Sequence, residues 1–336
     1  ERPLIPLSLV MMAILGPLIF YCHWPWIWHD TVPRVGSYLG FHGQHPHYNM
    51  EYFGVTYFRP PVPVSFPFVM TALTVPATTL LLAVTGIAAR LAVVAPGRWL
   101  ARLSIPAPRG RPAPAGADLM VLLCLLWPMA IIAWPTVPIF GGTKHWLPAM
   151  PLFAVLAGVG LDRVVSGVGR IGAGSSPWLR RALAAGTSLL LVAPALRETA
   201  SSHPFGLTHY NVLVGGVPGA ADAGLNRQYW GYTTGSLLGW LDEEVPPGGR
   251  VFFHDTAHAA YRMYLDDGTL RQDIRWGTTD ASEVALVHHE QHMAHVEYEI
   301  WERYQTTAPT HLLLHEGVPV VTVYRRPPRG ATRQPP

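Results

Sequence analysis

The sequence predicts a polytopic α-helical membrane protein, with about five transmembrane helices, joined to a C-terminal soluble α/β domain. Three observations predict it. Of 336 residues, 49% are hydrophobic and only 13% are charged, a balance foreign to a soluble enzyme of this length. The apolar excess lies before residue 200, whereas most of the acidic residues lie after it. Beyond residue 200, short stretches with strand and helix periodicity alternate.

Crossing the hydrocarbon core takes about 20 mostly apolar residues. Five stretches meet or approach that length: 3–22, 64–94, 118–140, 147–161 and 182–196. The last two are short, and their Ala and Gly content suits helices packed closely inside a bundle. Lys and Arg set the orientation. Arg98, Arg102, Arg109 and Arg111 lie between the second and third stretches, and Arg163, Arg170, Arg180 and Arg181 between the fourth and fifth. Both connections therefore read as cytoplasmic. The predicted location is the plasma (inner) membrane, multi-pass, with everything after the fifth span on the periplasmic or outer side.

Two regions fall outside. The first is the 24–62 loop, rich in Trp, Tyr and His, which fits an interfacial belt and an amphipathic helix lying on the membrane. The second is the 199–326 tail. In it 235–245 reads as a helix, 246–256 as a turn and strand, 281–290 as a strand, 296–304 as a helix, and 310–326 as two strands joined at Gly317. Residues 327–336, "PRGATRQPP" with the preceding proline, read as disordered. The domains are thus 1–198, membrane region with outer loop 24–62; 199–326, extracytoplasmic α/β domain; and a tail.

A net charge of +3 points to no nucleic-acid partner. Cys22 and Cys124 both sit in apolar runs and read as free buried thiols. The opening "ERPLIPLSL" has no basic leader and no small-residue cleavage site, so it does not read as a signal peptide. It reads as an arbitrary cut, which makes the chain a C-terminal fragment.

Chemistry gathers in four places. "GGTKHWLPAMPLF" (141–153) puts Lys144 and His145 at the outer edge between two spans. A snorkelling lysine that marks a helix end is one reading; a point charge meeting a lipid phosphate is the other. The outer loop offers His42, His45, His47, Tyr48, Glu51, Tyr57 and Arg59, with Asp30 and Glu51 its only acids. Zinc on His42, His45 and His47 fits no standard ligand spacing. "VHHEQHMAHVEYE" (287–299) holds four histidines and three glutamates. It is not in metalloprotease register, because Glu290 rather than position 289 lies between His288 and His292; a hydrogen-bonded structural cluster is the favoured reading. The same preference holds for His254, Asp255 and His258. Gly215–Gly216 is no phosphate loop, since no Lys-Ser/Thr follows at the required spacing.

"TKHWLPAMPLFAVLAG" (143–158) resembles the outer-loop-plus-helix segment of GT-C fold, polyprenyl-phosphate-sugar-dependent glycosyltransferases. The resemblance is to the bacterial type of the protein O-mannosyltransferase and aminoarabinose transferase-like superfamily, in which a Lys or Arg and a His or Tyr precede a Leu-Pro-x-x-Pro pattern. "HYNMEYFGVTYFRPPVPVSFPFVMTALTVP" (47–76) is similar to their large periplasmic loop and following helix. "LTHYNVLVGGVPGAADAGLNRQYWG" (207–231) is similar to a post-membrane segment of bacterial members.

The resemblance implies transfer of a sugar from a polyprenyl phosphate to an extracytoplasmic acceptor (protein, lipid or glycan), without a cofactor and without need of a metal. It implies that Lys144, His145 and Arg59 bind the donor phosphate, and that His47, Tyr48, Tyr52 and Tyr57 line the sugar and lipid. It places the general base in a first outer loop preceding this chain, leaving Glu51 and Asp30 as weak substitutes. The rival classes are a membrane-anchored periplasmic binding module without catalysis and a metal-dependent hydrolase using 288–295.

Overall fold

A computed structural model describes residues 7–43, 47–94, 115–139, 141–172 and 174–328. The cationic stretch with Arg98, Arg102, Arg109 and Arg111 lies outside the described residues, as do His45 and 329–336. The described chain is mostly helical, with a sheet near its C-terminus. It divides into two compact units, Glu1–His47 and Tyr48–Pro336.

In the first unit, α1 (Leu7–His23) and α2 (Thr31–Gly43) flank a short 3-10 turn, Pro25–Ile27. An aromatic knot joins them. Trp24 stacks on Trp26 with ring centroids 5.3 Å apart and meets Tyr38 edge-on at 4.9 Å. Arg34 lies over the Trp26 ring at 5.2 Å and donates to the Trp26 carbonyl. The helix expected in the outer loop is α2, and it buries none of its residues within the chain.

The second unit opens with a hairpin, β1 (Met50–Tyr52) and β2 (Val55–Tyr57), pairing Met50 with Tyr57. Among the described residues five helices follow: α3 (Phe66–Thr74), α4 (Ala77–Val94), α5 (Ala115–Ile132), α6 (Met150–Ile171) and α7 (Pro177–Ser202). Three expectations need correction. The single span at 64–94 is two helices, because Pro76 lacks the N–H that would continue the ladder and Val75 is extended. The stretch at 118–140 leaves the helix at Ile132. The fourth and fifth stretches are longer than expected, since helix continues through their charged flanks. Arg163 is therefore not in a loop but buried within α6, Arg170 ends that helix, and Arg180 and Arg181 lie in the first turns of α7.

Among the described residues, two helices are long and apolar enough to cross a membrane, Gly142–Arg170 and Pro177–Ser202. Val10–His23, Ala77–Ala92 and Ala117–Ile132 are apolar but shorter. Helices α4 and α6 touch backbone to backbone. A Cβ placed on Gly86 would stand 1.8 Å from the Leu156 carbonyl oxygen, and one on Gly160 would stand 1.9 Å from the Leu82 oxygen. Only glycine on both sides allows that crossing. Leu82, Ala83, Leu122, Leu125, Phe153 and Leu156 fill the core around it.

The elements read from the tail's periodicity are present in that order, and α8, α10 and β4 below are added to them. Helix α8 (Gly216–Asp222), a 3-10 turn at Tyr232–Leu237 and α9 (Leu238–Glu244) precede β3 (Arg250–Phe252), α10 (His258–Asp266), β4 (Arg275–Trp276), β5 (Val284–His288), α11 (Ala294–Tyr304), β6 (His311–His315) and β7 (Val318–Arg325). The sheet order is β4-β3-β5-β7-β6. Strands β3, β4 and β5 run parallel, and β7 pairs antiparallel with β5 and β6. Central β5 is buried along its whole length. Val284 and Leu286 face the cluster of Leu241, Phe253 and Tyr261, while Ala285 and Val287 face Ile300 and Tyr304 of α11. A strand covered on both faces explains why 284–287 is a continuous apolar run rather than an alternating one.

Candidate functional site

The site is built where the start of α6 meets the end of α7. Gly141 and Gly142 both take φ of 68°, turning the chain into the 3-10 segment Gly142–Ala149. Trp146 anchors that segment. It is fully buried, its Nε1 donates to Thr71 Oγ1 at 2.8 Å, and its ring meets Phe66 edge-on. Lys144, two residues earlier, is left on the open side, its Nζ 4.3 Å from the centroid of the Trp230 ring. A cation over an indole face at that distance is attracted by the ring quadrupole.

Asn211 fixes the opposite wall. Its Nδ2 donates to the Ala72 carbonyl at 2.7 Å and to that of Val75, and its backbone N–H donates to the Leu73 carbonyl at 2.8 Å. These are the carbonyls left open where Pro76 ends α3. Tyr210 donates to the Asn226 carbonyl at 2.9 Å, and Tyr229 lines the same cavity. Burial raises the pKa of both phenols, that of Tyr229 to about 12, so both stay protonated. The result is a cavity of about 430 Å³ whose polar lining includes Lys144, Thr74, Ser202, His209, Tyr210 and Tyr229, with Trp230 as an aromatic wall. His209 Nε2 lies 3.4 Å from Glu198 Oε2.

Three acids, Glu51, Asp255 and Glu290, lie near one another at one end of the sheet. Asp255 follows β3 and Glu290 follows β5, so both stand at the carboxyl ends of adjacent parallel strands, the usual position of a functional crevice in an α/β sheet. Burial raises the pKa of Glu290 to about 9, and the neighbouring Asp255 and Glu51 add to the rise. Glu51 of β1 is buried and accepts from the His292 backbone N–H at 2.8 Å and from its Nδ1 at 2.9 Å. Gln291 Nε2 donates to the Gly54 carbonyl at 2.6 Å, so the hairpin is docked on the tail.

The structure separates the residues that the sequence grouped. Lys144 lines the cavity; His145, next to it, does not, and Arg59 is exposed elsewhere. Tyr52 is a core residue, bonded to Ser65 Oγ at 3.0 Å. Tyr57 packs half-buried and Tyr48 is exposed, and none of these three tyrosines lines the Lys144 cavity; His47, in the first unit, is exposed. Asp30 is exposed in the first unit with φ of 50°. His42 is exposed at the end of α2. Cys22 and Cys124 are exposed free thiols rather than buried ones, because α1 and α5 each turn an apolar face outward.

The histidines of 287–299 have separate partners. His288 Nε2 meets Thr234 Oγ1 at 2.9 Å, His289 Nε2 meets Thr322 Oγ1 at 2.7 Å, and His292 meets Glu51. Among the described residues, no three His, Cys, Asp or Glu side chains converge as a metal set. Sequence reasoning missed Tyr210, Tyr229 and Trp230 as cavity walls. The signal was the pairing of two distant motifs, the double glycine at 141–142 and Tyr229-Trp230-Gly231. A Cβ on Gly141 would lie 1.9 Å from Trp230 Cζ2. No protein-family model, no curated protein and no solved structure matches the chain.

Proposed function

We propose that this chain belongs to a polytopic membrane glycosyltransferase of the GT-C type, moving a sugar from a polyprenyl-phosphate donor to an extracytoplasmic acceptor. The observation that carries the reading is the Lys144 cavity. One ammonium group stands against an aromatic wall, at the end shared by the two longest apolar helices.

Lysine at that edge meets the carrier phosphate as negative charge grows on the leaving oxygen, and a positive charge held in place beside that oxygen stabilises the transition state. The Trp230 and Tyr229 rings supply the flat surface on which a sugar ring packs. Helix α7 exposes Leu189, Leu190 and Leu196, and α5 exposes Leu123, Leu126 and Trp127. Apolar surface on that scale fits lipid rather than water. With Arg170, Arg180 and Arg181 at the opposite helix ends, the positive-inside rule puts Lys144 and the tail on the outer, periplasmic side. His145 and Arg59 keep at most a supporting role, because neither lines the cavity.

The test is transfer by the full-length protein in membranes, from a panel of polyprenyl-phosphate sugars, comparing wild type with Lys144→Ala. Loss of transfer with insertion intact supports the assignment. Unchanged transfer reduces Lys144 to an anchor. No transfer by wild type with any donor favours a binding module.

A further inference from the structure

A second cavity, of about 290 Å³, opens at the carboxyl end of β5 and shares no lining residue with the Lys144 cavity. Three parts of the chain wall it: Glu51 on β1, the segment 224–227 after α8, and 287–297 running from β5 into α11. The walls are tied together. The Gly54 N–H donates to the Gly224 carbonyl at 2.9 Å, Gln291 Nε2 reaches the Gly54 carbonyl, and His292 holds Glu51. At about 30 Å³ for each water of the liquid, the space is worth roughly ten waters, enough for a small organic ligand.

Several polar groups of the walls already have partners within the fold. Glu51 accepts from His292, Glu297 Oε1 accepts from the Tyr324 hydroxyl at 2.7 Å, and His289 Nε2 meets Thr322 Oγ1 at 2.7 Å. Three groups do not. The Glu290 side chain is 8% exposed, and its Oε1 is buried with no hydrogen-bond partner. His288 is 1% exposed, and its Nδ1 is in the same state. The tautomer of His288 follows from a relay of hydroxyls. Thr256 Oγ1 donates to the Phe253 carbonyl at 2.8 Å, so Thr234 Oγ1, 2.6 Å away, donates to Thr256. His288 Nε2, 2.9 Å from Thr234 Oγ1, must then carry the hydrogen. Burial keeps the ring neutral, which leaves Nδ1 a bare acceptor. The third group is Arg227, half-buried, which among the described residues makes no hydrogen bond or ion pair.

These groups set the chemistry of an occupant. Arg227 asks for acceptors, His288 Nδ1 asks for a donor, and the Glu290 carboxyl, protonated up to about pH 9 by its burial, both gives and takes. A simple cation would answer His288 and leave Arg227 unmatched. A simple anion would answer Arg227 but face Glu51 and Glu297. A hydroxyl donates and accepts at once, and neighbouring hydroxyls on one ring do so several times in a small volume. Leu225 and Met293 add apolar wall for the C–H face of such a ring. We propose that this cavity binds a neutral saccharide unit, with Arg227 donating to its hydroxyls and His288 Nδ1 and the Glu290 carboxyl bonding others. The site stands apart from the donor-phosphate reading of Lys144, since it needs no phosphate and no transfer.

The experiment is saturation-transfer difference NMR with isothermal titration, on the full chain in a sugar-free detergent at pH 7. The probes are free glucose, galactose, mannose, arabinose and N-acetylglucosamine, with glycine, acetate and methylammonium for comparison. At least one sugar should bind wild type more tightly than the three charged probes. Arg227→Ala should weaken that sugar about tenfold or more, as loss of a hydrogen bond from a charged donor does. Because Arg227 bonds nothing in the fold, its removal should leave the melting temperature in place. Glu290→Ala should also weaken binding, whereas Glu290→Gln, whose amide keeps a donor and an acceptor, should stay within about threefold. Lys144→Ala should change nothing. No sugar bound to wild type means that the space holds water only and overturns the site. So does equal affinity in Arg227→Ala, or a preference for glycine over every sugar. Loss of binding with Lys144→Ala would seat the sugar in the other cavity and overturn it as well. Transfer enters none of these readouts, so failure here leaves the transferase reading untouched.

Discussion

Gly141→Ala tests the cavity most directly, because its effect follows from two distances. The new Cβ would stand 1.9 and 2.2 Å from Trp230 Cζ2 and Cη2, where carbon atoms settle at about 3.5–4.0 Å. The indole must therefore retreat by roughly 1.5 Å. From a starting separation of 4.3 Å, that carries it toward the roughly 6 Å limit at which an ammonium still feels the ring. Two costs add. An alanine at φ of 68° costs about 1–2 kcal/mol, and the overpacking costs about 1–3 kcal/mol more. The second cost belongs to the pair and the first to Gly141 alone.

A double-mutant cycle separates the two costs. In a Trp230→Ala background the alanine meets no ring, so only the backbone cost remains, and the coupling should be about 1–3 kcal/mol. The assay is thermal unfolding of all four proteins in one detergent, with binding of a polyprenyl phosphate measured in parallel. Gly141→Ala should weaken that binding, while Gly142→Ala, whose Cβ would meet the Tyr229 hydroxyl at 3.2 Å, should not displace Trp230. Additive effects of Gly141→Ala and Trp230→Ala, within about 0.5 kcal/mol, would refute the packing argument.

The other predictions concern the frame. Gly160→Ala drives a methyl into the Leu82 carbonyl and should destabilise by about 2–4 kcal/mol, whereas exposed Gly158, with nothing within 4 Å of its Cβ position, should gain up to about 1 kcal/mol as alanine; melting curves of the two variants decide. Asn211→Ala leaves the Ala72 and Val75 carbonyls without their side-chain donor and should cost about 2–4 kcal/mol, with proteolysis near the α3–α4 junction as the local readout. Glu290 carries its proton in the fold up to about pH 9, far above its unfolded value. Raising the pH from about 4.5 to 9 therefore removes protons from the unfolded state first, and wild-type stability falls across that window. Glu290→Gln has no such slope, so its melting midpoint should overtake wild type as the pH rises; parallel pH profiles would remove the argument.

Local pattern and long-range contact were unequally legible in the sequence. The tail could be read element by element because β5, α11, β6 and β7 each carry their own periodicity or turn residue. The helices were found by hydropathy but misbounded, since apolar content does not report where Pro76 ends a hydrogen-bond ladder, nor that Arg163 continues a helix while buried. Lys144 stood out as a lone cation at an apolar edge. Trp230, Tyr229, Asp255 and Glu290 did not, because each gains its meaning from a partner far away in the chain. Glycine was the readable trace of those contacts: Gly141 makes room for Trp230, Gly224 for Gly54, and Gly86 for Leu156.

The acids show how burial reassigns chemistry that a sequence leaves open. Glu51 was a candidate base because it is one of two acids in its loop. In the fold its side chain is 3% exposed, and its Oε1 is held by two donors of His292. Asp255 and Glu290 stand at the carboxyl ends of β3 and β5, where burial and the neighbouring acids push the pKa of Glu290 up to about 9. None of the three lines the Lys144 cavity, and among the described residues no Asp or Glu does. The cavity's own chemistry is thus one-sided: a cation and protonated phenols, suited to holding and neutralising an anionic leaving group. Deprotonating an acceptor hydroxyl needs a base that these walls lack, save for His209, whose ring lies beside Glu198. Under the proposed reaction, the division of labour is that this part of the molecule grips the donor and the accepting side is supplied by groups outside the cavity lining.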